Sequence, residues 1–139
     1  MLQHMLALQK KMQIESYGAD PTKLTGVKRI QFVKDMKLAL EAELQEAMDE
    51  IGWKPWATSR HFNEEAFKNE LVDGFHFFMN LVLAADMDAK ELYDRYLAKR
   101  QKNIQRQLTG YDGVTGKCQV CKRALDDDAV TCTEEVCNA

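Results

Sequence analysis

Residues 63–85 read NEEAFKNELVDGFHFFMNLVLAA, and this stretch decides the fold. Asn63 is a good N-cap residue, and Glu64 and Glu65 follow it at the positive end of a helix dipole. Phe67, Leu71, Phe75, Phe78 and Val82 then carry a helical period to about Ala85. After Leu71 the segment is apolar on nearly every side, which predicts the central, most buried helix of the molecule. Two acids, Glu70 and Asp73, interrupt it. Charges in so apolar a helix are costly unless something compensates them.

The same period recurs on both sides. Leu2, Met5, Leu6, Leu8, Met12 and, less regularly, Ile14 predict a helix over residues 1–17, which Tyr17-Gly18-Ala19-Asp20-Pro21 ends. A second helix is expected from Gly26 to about Ile51, stopped by Gly52. Ile30, Val33, Met36, Leu40, Leu44, Ala47 and Met48 mark one of its faces, with Lys37 the polar exception. Downstream, Asp88 followed by Glu91 resembles a capping box, and that helix runs to about Leu108. Gly110-Tyr111-Asp112-Gly113 breaks it. There is no convincing strand pattern and no internal repeat. The reading is an all-α bundle of four to five helices over residues 1–111, followed by a short cysteine-bearing C-terminal tail over 112–139.

Composition agrees. The chain has 139 residues, 45% hydrophobic and 29% charged, enough for one domain with a small appendage. Seven Gly and two Pro argue against a loop-rich β-sandwich. A net charge of −3 argues against a general nucleic-acid binder with a broad basic face. No apolar run approaches membrane-spanning length. The start, Met1-Leu2-Gln3-His4-Met5-Leu6, lacks a basic region followed by an apolar core, so the expected location is the cytoplasm, with no membrane partner.

Glu41, Glu43, Glu46, Asp49 and Glu50 lie on the second predicted helix, and Glu70 and Asp73 on the third. Glu43 with Glu46, and Glu70 with Asp73, are each three apart, which puts both acids of a pair on one helix face. If the two helices pack antiparallel, four carboxylates converge. They repel unless a cation is present or protons are retained. Hard oxygen ligands of this kind suit Mg²⁺. For Glu41, Asp49 and Glu50 an ordinary solvated face is the better reading.

The order Glu43-x-x-Glu46, Trp53-Lys54-x-Trp56 and Glu70-Leu71-Val72-Asp73-Gly74-Phe75-His76-Phe77 resembles the all-α nucleoside triphosphate pyrophosphatases, the MazG-like superfamily. The Trp-Lys-x-Trp and Asp-x-x-His-Phe elements point to its dimeric dUTPase branch. The resemblance covers roughly residues 1–111. It implies that Glu43, Glu46, Glu70 and Asp73 bind Mg²⁺, with Glu43 activating the attacking water. It implies that His76 and Phe77 pack against the deoxyribose and that Trp53, with Lys54 beside it, lines the base pocket. Read alone, His76 is an ordinary core histidine and Trp53 a core plug.

Two further elements match. Lys99, Lys102, Asn103 and Arg106 fall at i, i+3, i+4 and i+7, one basic stripe, followed by Tyr111; the resemblance makes these triphosphate-binding groups. Alone, the stripe reads as cations at a helix C-terminus. In Leu8-Gln9-Lys10-Lys11-Met12-Gln13, Gln9 matches a base-reading amide and Gln13 stands where the family has Asn. An amide presents a donor or an acceptor by flipping, so uracil, cytosine or a modified pyrimidine all remain open.

The implied reaction is dUTP plus water to dUMP and pyrophosphate, with dCTP or another, modified dNTP as the alternative. The implied assembly is a homodimer or higher homo-oligomer. Outside the enzyme class, the alternative is a non-catalytic helical module that binds a partner through its tail. Cys118-x-x-Cys121 followed by Cys132 and Cys137 resembles a structural zinc knuckle that would hold Zn²⁺; thiols without metal and disulfides are the alternatives. Asp126-Asp127-Asp128 reads as a solvated loop.

Overall fold

Helices occupy the segments where the apolar period puts them: α1 Leu2–Tyr17, α2 Gly26–Asp49, α3 Glu64–Ala84 and α4 Ala89–Thr109. The computed structural model describes residues 1–126. Among these there is no strand, only the isolated pairs Ile51 with Phe62 and Lys117 with Ala124. The fold is all-α. Among the described residues no helix is long and apolar enough to cross a membrane.

The helix ends show local chemistry at work. α1 stops at Gly18, whose φ of 69° is left-handed and cheap only for glycine. The N–H groups of Gly18 and Ala19 both return to the Gln13 carbonyl. Asp20 then opens a 3-10 turn, Pro21–Lys23, by accepting the Thr22 N–H at 3.0 Å and the Thr22 hydroxyl at 2.7 Å. Lys10 reaches over from α1, donating to Thr22 Oγ1 at 2.9 Å. Asp88 caps α4, accepting the Glu91 N–H at 2.8 Å.

Asn63 departs from expectation. It stands at the N-cap position of α3, but its side chain makes no cap bond. Its amide instead donates to Glu50 Oε2 at 2.7 Å, and its N–H to the Glu50 carbonyl at 2.9 Å. The tie to the end of α2 has taken the side chain that the cap would use. α2 correspondingly ends at Asp49, two residues short of the Ile51 expected from the pattern, with Glu50 as its cap.

α2 and α3 run antiparallel: Met36 meets Asn80, Leu40 and Glu43 face Gly74, and Glu50 meets Asn63. The helices pass closely at Gly74, where an added Cβ would sit 3.4 Å from Leu40 Cδ1. α3 also packs against α1 and the 3-10 turn, which makes it the central helix. Leu6, Met79, Val82 and Leu83 form the buried core, with Leu2, Met5, Phe75, Met87 and Leu92 packed around it. Each such side chain contributes about 1.5–3 kcal/mol by leaving water.

Two burial expectations need correction. The buried residues of α3 run from Gly74 to Ala84, while Leu71, Val72 and Asp73 in its first half are exposed. On α2, Ile30, Val33, Leu44 and Met48 are exposed, because the face turned to α3 carries Phe32, Met36, Leu40, Glu43 and Ala47 instead.

The chain divides into two compact units, Met1–Asp94 and the segment from Arg95 onward, the division falling inside α4. In the second unit Asp112 accepts from the Thr115 N–H at 3.0 Å and from its hydroxyl at 2.8 Å. The Tyr111 ring covers Gly116 so closely that a Cβ there would lie 2.1 Å from Tyr111 Cε2.

Candidate active site

The α2–α3 pairing brings Glu43, Glu46 and Glu70 together. One carboxylate oxygen from each lies within 4.8 Å of the others, a spacing that could hold a metal ion. Asp73, the fourth acid, lies outside this triple, yet its charge reaches Glu43. The Glu43 carboxyl is held above its ordinary value, first by burial and then by the charges of Glu46, Asp73 and Glu70. A hydrogen bond with Glu70 pushes the same way. This is the repulsion of like charges on a half-buried surface, and a divalent cation among these oxygens would relieve it. The donor set, carboxylate oxygens alone, fits a hard ion such as Mg²⁺ and not a soft one.

A cavity of about 320 Å³ opens between α1, α2 and α3, lined among others by Gln9, Gln13, Tyr17, Phe32, His76, Phe77 and Asn80. Its polar wall has a fixed direction. Asn80 donates to Met36 Sδ at 3.2 Å, Gln9 Nε2 donates to Asn80 Oδ1 at 2.8 Å, and His76 Nδ1 lies 2.7 Å from Gln9 Oε1. Gln9 Oε1 can only accept, so the His76 proton on this side sits on Nδ1. Gln13 is different. Its side chain is 6% exposed and lines the cavity, but it makes no hydrogen bond among the described residues.

Trp53 and Lys54 do not line this cavity. They border a smaller hollow of about 130 Å³ with Asp49, Ala57 and His61. Their loop is pinned by Arg60, which donates to the carbonyls of Lys54 at 2.7 Å and Pro55 at 2.8 Å. Gly52 is required there, since a Cβ would meet Ser59 O at 2.6 Å.

In the second unit, Lys99, Asn103, Arg106 and Tyr111 line a cleft of about 600 Å³; Lys102 does not. Arg106 stacks over the Tyr111 ring at 4.3 Å. Arg106 grips Asp126 in a bidentate pair at 2.7 and 2.6 Å, and Lys102 lies 3.8 Å from the same carboxylate. These cations hold the Asp126 carboxyl down at about 2. Asp126 is therefore an ion-pair partner and not the solvated loop residue expected. Cys118 and Cys121 are half-buried; Cys132 and Cys137, with Asp127 and Asp128, lie outside the described residues.

Residues 1–92 match the dUTPase family. The chain belongs to that family. This dUTPase-family chain is thereby a nucleotide diphosphohydrolase, and its matched span contains Gln9, Gln13, both acidic pairs, Trp53, Lys54, His76 and Phe77. It is similar to the dCTP pyrophosphatase of Enterobacteria phage T4, 29% identical over 79% of this chain and 82% of that protein. It is also similar to the dCTP pyrophosphatase of Enterobacteria phage LZ5, 36% identical over 42% of this chain and 41% of that protein. A DNA replication protein of phage T4 is 27% identical over 72% of this chain but only 33% of its own length. No solved structure gives a significant match.

Sequence reasoning missed Asn80 in this dUTPase-family site. It is the most buried polar residue described, 1% exposed, and it fixes Gln9. The signal was available: an amide inside an apolar run, four residues after His76 and so on the same helix face.

Proposed function

We propose that the chain is a Mg²⁺-dependent pyrimidine deoxynucleoside triphosphate pyrophosphatase that accepts both dUTP and dCTP, releasing the monophosphate and pyrophosphate. The observation that carries this is the contrast between the two glutamines. Gln9 is locked between Asn80 and His76, whereas Gln13, a largely buried residue, lines the cavity with an amide whose donor and acceptor are unspent. Uracil offers an N3–H beside the O4 acceptor; cytosine offers a bare N3 beside an N4 donor. A half-turn of one amide exchanges donor for acceptor and meets either edge. The cavity of about 320 Å³ is at the small end for ligand pockets and suits a single ring. Membership of the dUTPase family and likeness to dCTP pyrophosphatases support the same reading from both sides.

Glu43, Glu46 and Glu70, with Asp73, would hold the metal, which when bound neutralises phosphate charge and acidifies water. Glu43 takes the proton from the attacking water, and its raised affinity for protons suits that task. His76, with its Nδ1 proton given to Gln9, keeps a fixed ring plane beside Phe77 against the sugar. The cations of α4 carry the anion-binding chemistry that a triphosphate requires. Leu8, Leu71, Val72 and Phe78 are exposed on one chain, Val72 by 56%, and cover by a second copy is the assembly we expect.

The test is turnover of dUTP, dCTP, dTTP, dATP, dGTP and UTP with Mg²⁺, read as nucleotide products and pyrophosphate. We expect kcat/KM for dUTP and dCTP to agree within about tenfold, because one re-aimed amide bond is worth about 1 kcal/mol. Purine substrates and UTP should be poor. A preference above about a hundredfold for one pyrimidine would mean that Gln13 is held in one orientation. No turnover of any substrate would favour the non-catalytic module.

A further inference from the structure

The short segment from Asp112 to Asp126 is folded without a core. None of its residues is buried, and its large apolar side chains, Val114, Val120 and Leu125, are exposed, Leu125 by 61%. Yet it closes a tight hairpin. Lys117 pairs with Ala124, the Cys118 N–H donates to the Arg123 carbonyl at 2.8 Å, and the Lys122 N–H returns to the Cys118 carbonyl at 3.0 Å. The Leu125 N–H meets the Gly116 carbonyl at 2.9 Å. A stretch this small cannot supply enough apolar burial to offset its ordering entropy, and such segments are held by cross-links or metals.

Three details say what holds it. Cys118 and Cys121 stand within the turn, and the Val120 N–H points at Cys118 Sγ from 3.4 Å. An amide donor aimed at sulfur stabilises the thiolate form. Lys122, directly after the second cysteine, is left-handed at φ 59°, a conformation that costs a non-glycine residue about 1 kcal/mol and persists only where its surroundings impose it. Lys117, Lys122 and Arg123 flank both cysteines, placing positive charge where a zinc ion with four thiolates would leave a net charge of about −2. A redox Cys-x-x-Cys opens a helix, whose dipole activates its first thiol; here a hairpin turn holds the pair.

We propose that this hairpin is half of a structural zinc site, with Cys118 and Cys121 as two thiolate ligands. Cys132 and Cys137, the other two cysteines of the chain, lie outside the described residues. The matched span of the dUTPase family ends at residue 92, so Cys118 and Cys121 lie outside it. Metal binding releases the thiol protons to solvent and changes no oxidation state.

The experiment uses the full-length chain without a histidine tag, exchanged into Mg²⁺ buffer. Elemental analysis should find about one zinc and no iron per chain. A Cys118→Ser, Cys121→Ser double variant should fall to none, while Glu70→Gln should keep its zinc, which separates the thiols from the acidic cluster. To keep loss of metal apart from loss of the hairpin in the double variant, the wild-type protein is also reconstituted with Co²⁺. Thiolate-to-cobalt absorption in the near ultraviolet is expected. Wild-type protein without zinc, whose thiols react with Ellman's reagent equally fast with and without added Zn²⁺, would overturn the proposal. So would a mass deficit showing Cys118 and Cys121 joined in a disulfide, or iron in place of zinc.

Discussion

In residues 1–94, Leu6, Met79, Val82 and Leu83 are buried, and so are the amides Gln9, Gln13 and Asn80. In residues 95–126 no residue is buried, and the ties that hold the chain include an Asp112 turn, a Tyr111 lid on Gly116, the backbone bonds of the 117–124 hairpin and the Arg106–Asp126 pair. The first region excludes water and then places a few polar groups inside; the second leaves its polar groups wet and relies on discrete ties. The difference matters for chemistry. A carboxylate such as Glu43 can be tuned because burial and neighbouring charges act together, whereas exposed pairs are screened and contribute little.

The largest expected effect tests whether the buried region carries catalysis. Glu43→Gln should lower kcat by about 10²–10⁴, the range for loss of a general base, with nucleotide binding still measurable by calorimetry. Near-normal turnover would remove Glu43 as the base. Next comes the contrast itself. Leu83→Ala should cost about 2–5 kcal/mol in urea unfolding, while Leu125→Ala should stay within about 0.5 kcal/mol. Equal costs would mean that the C-terminal unit has apolar cover of its own.

Asp20 gives a smaller effect. Asp20→Ala should cost about 1 kcal/mol by leaving Thr22 and the 3-10 turn uncapped. The Thr22 hydroxyl holds the Asp20 carboxyl below its ordinary value of 3.8. A carboxyl lowered on folding stabilises above that value, and the stabilisation fades as pH falls through the lower, folded one. Wild type and variant should therefore converge in acid and separate toward neutral pH; a constant gap would deny the capping role. Smallest of all, Asp126→Asn should shift the Arg106 Nε–H resonance without a measurable change in global stability. An appreciable loss of stability would show that this half-buried pair is worth more than its surroundings suggest.

Much of this was legible in sequence. Gly18, Asp88 and the Leu2–Met12 period placed helix ends to within a residue or two, because capping and amphipathicity are local. The three-residue spacing of Glu43 with Glu46 brought two acids to one face, and the antiparallel turn at Asn63 brought Glu70 to them. What could not be read is what depends on a distant partner. Asn63 looked like a cap until Glu50 claimed its amide, and Asn80 went unnoticed because its role depends on Gln9, 71 residues away in sequence. The exposed Ile30 and Leu71 show the converse: a periodic apolar stripe names a face that seeks cover, not the surface that covers it within one chain.

The amide relay ends on Met36, and that terminus has a consequence for the far end. A thioether has no proton to give, so Asn80 must offer its nitrogen, Gln9 must follow, and His76 must keep its hydrogen on Nδ1. The ring nitrogen that His76 leaves for the cavity is thus chosen three links away, by the sulfur of Met36. Replacing Met36 with leucine would keep the volume and delete the compass: each amide could then turn about, and the imidazole would present either tautomer to the cavity.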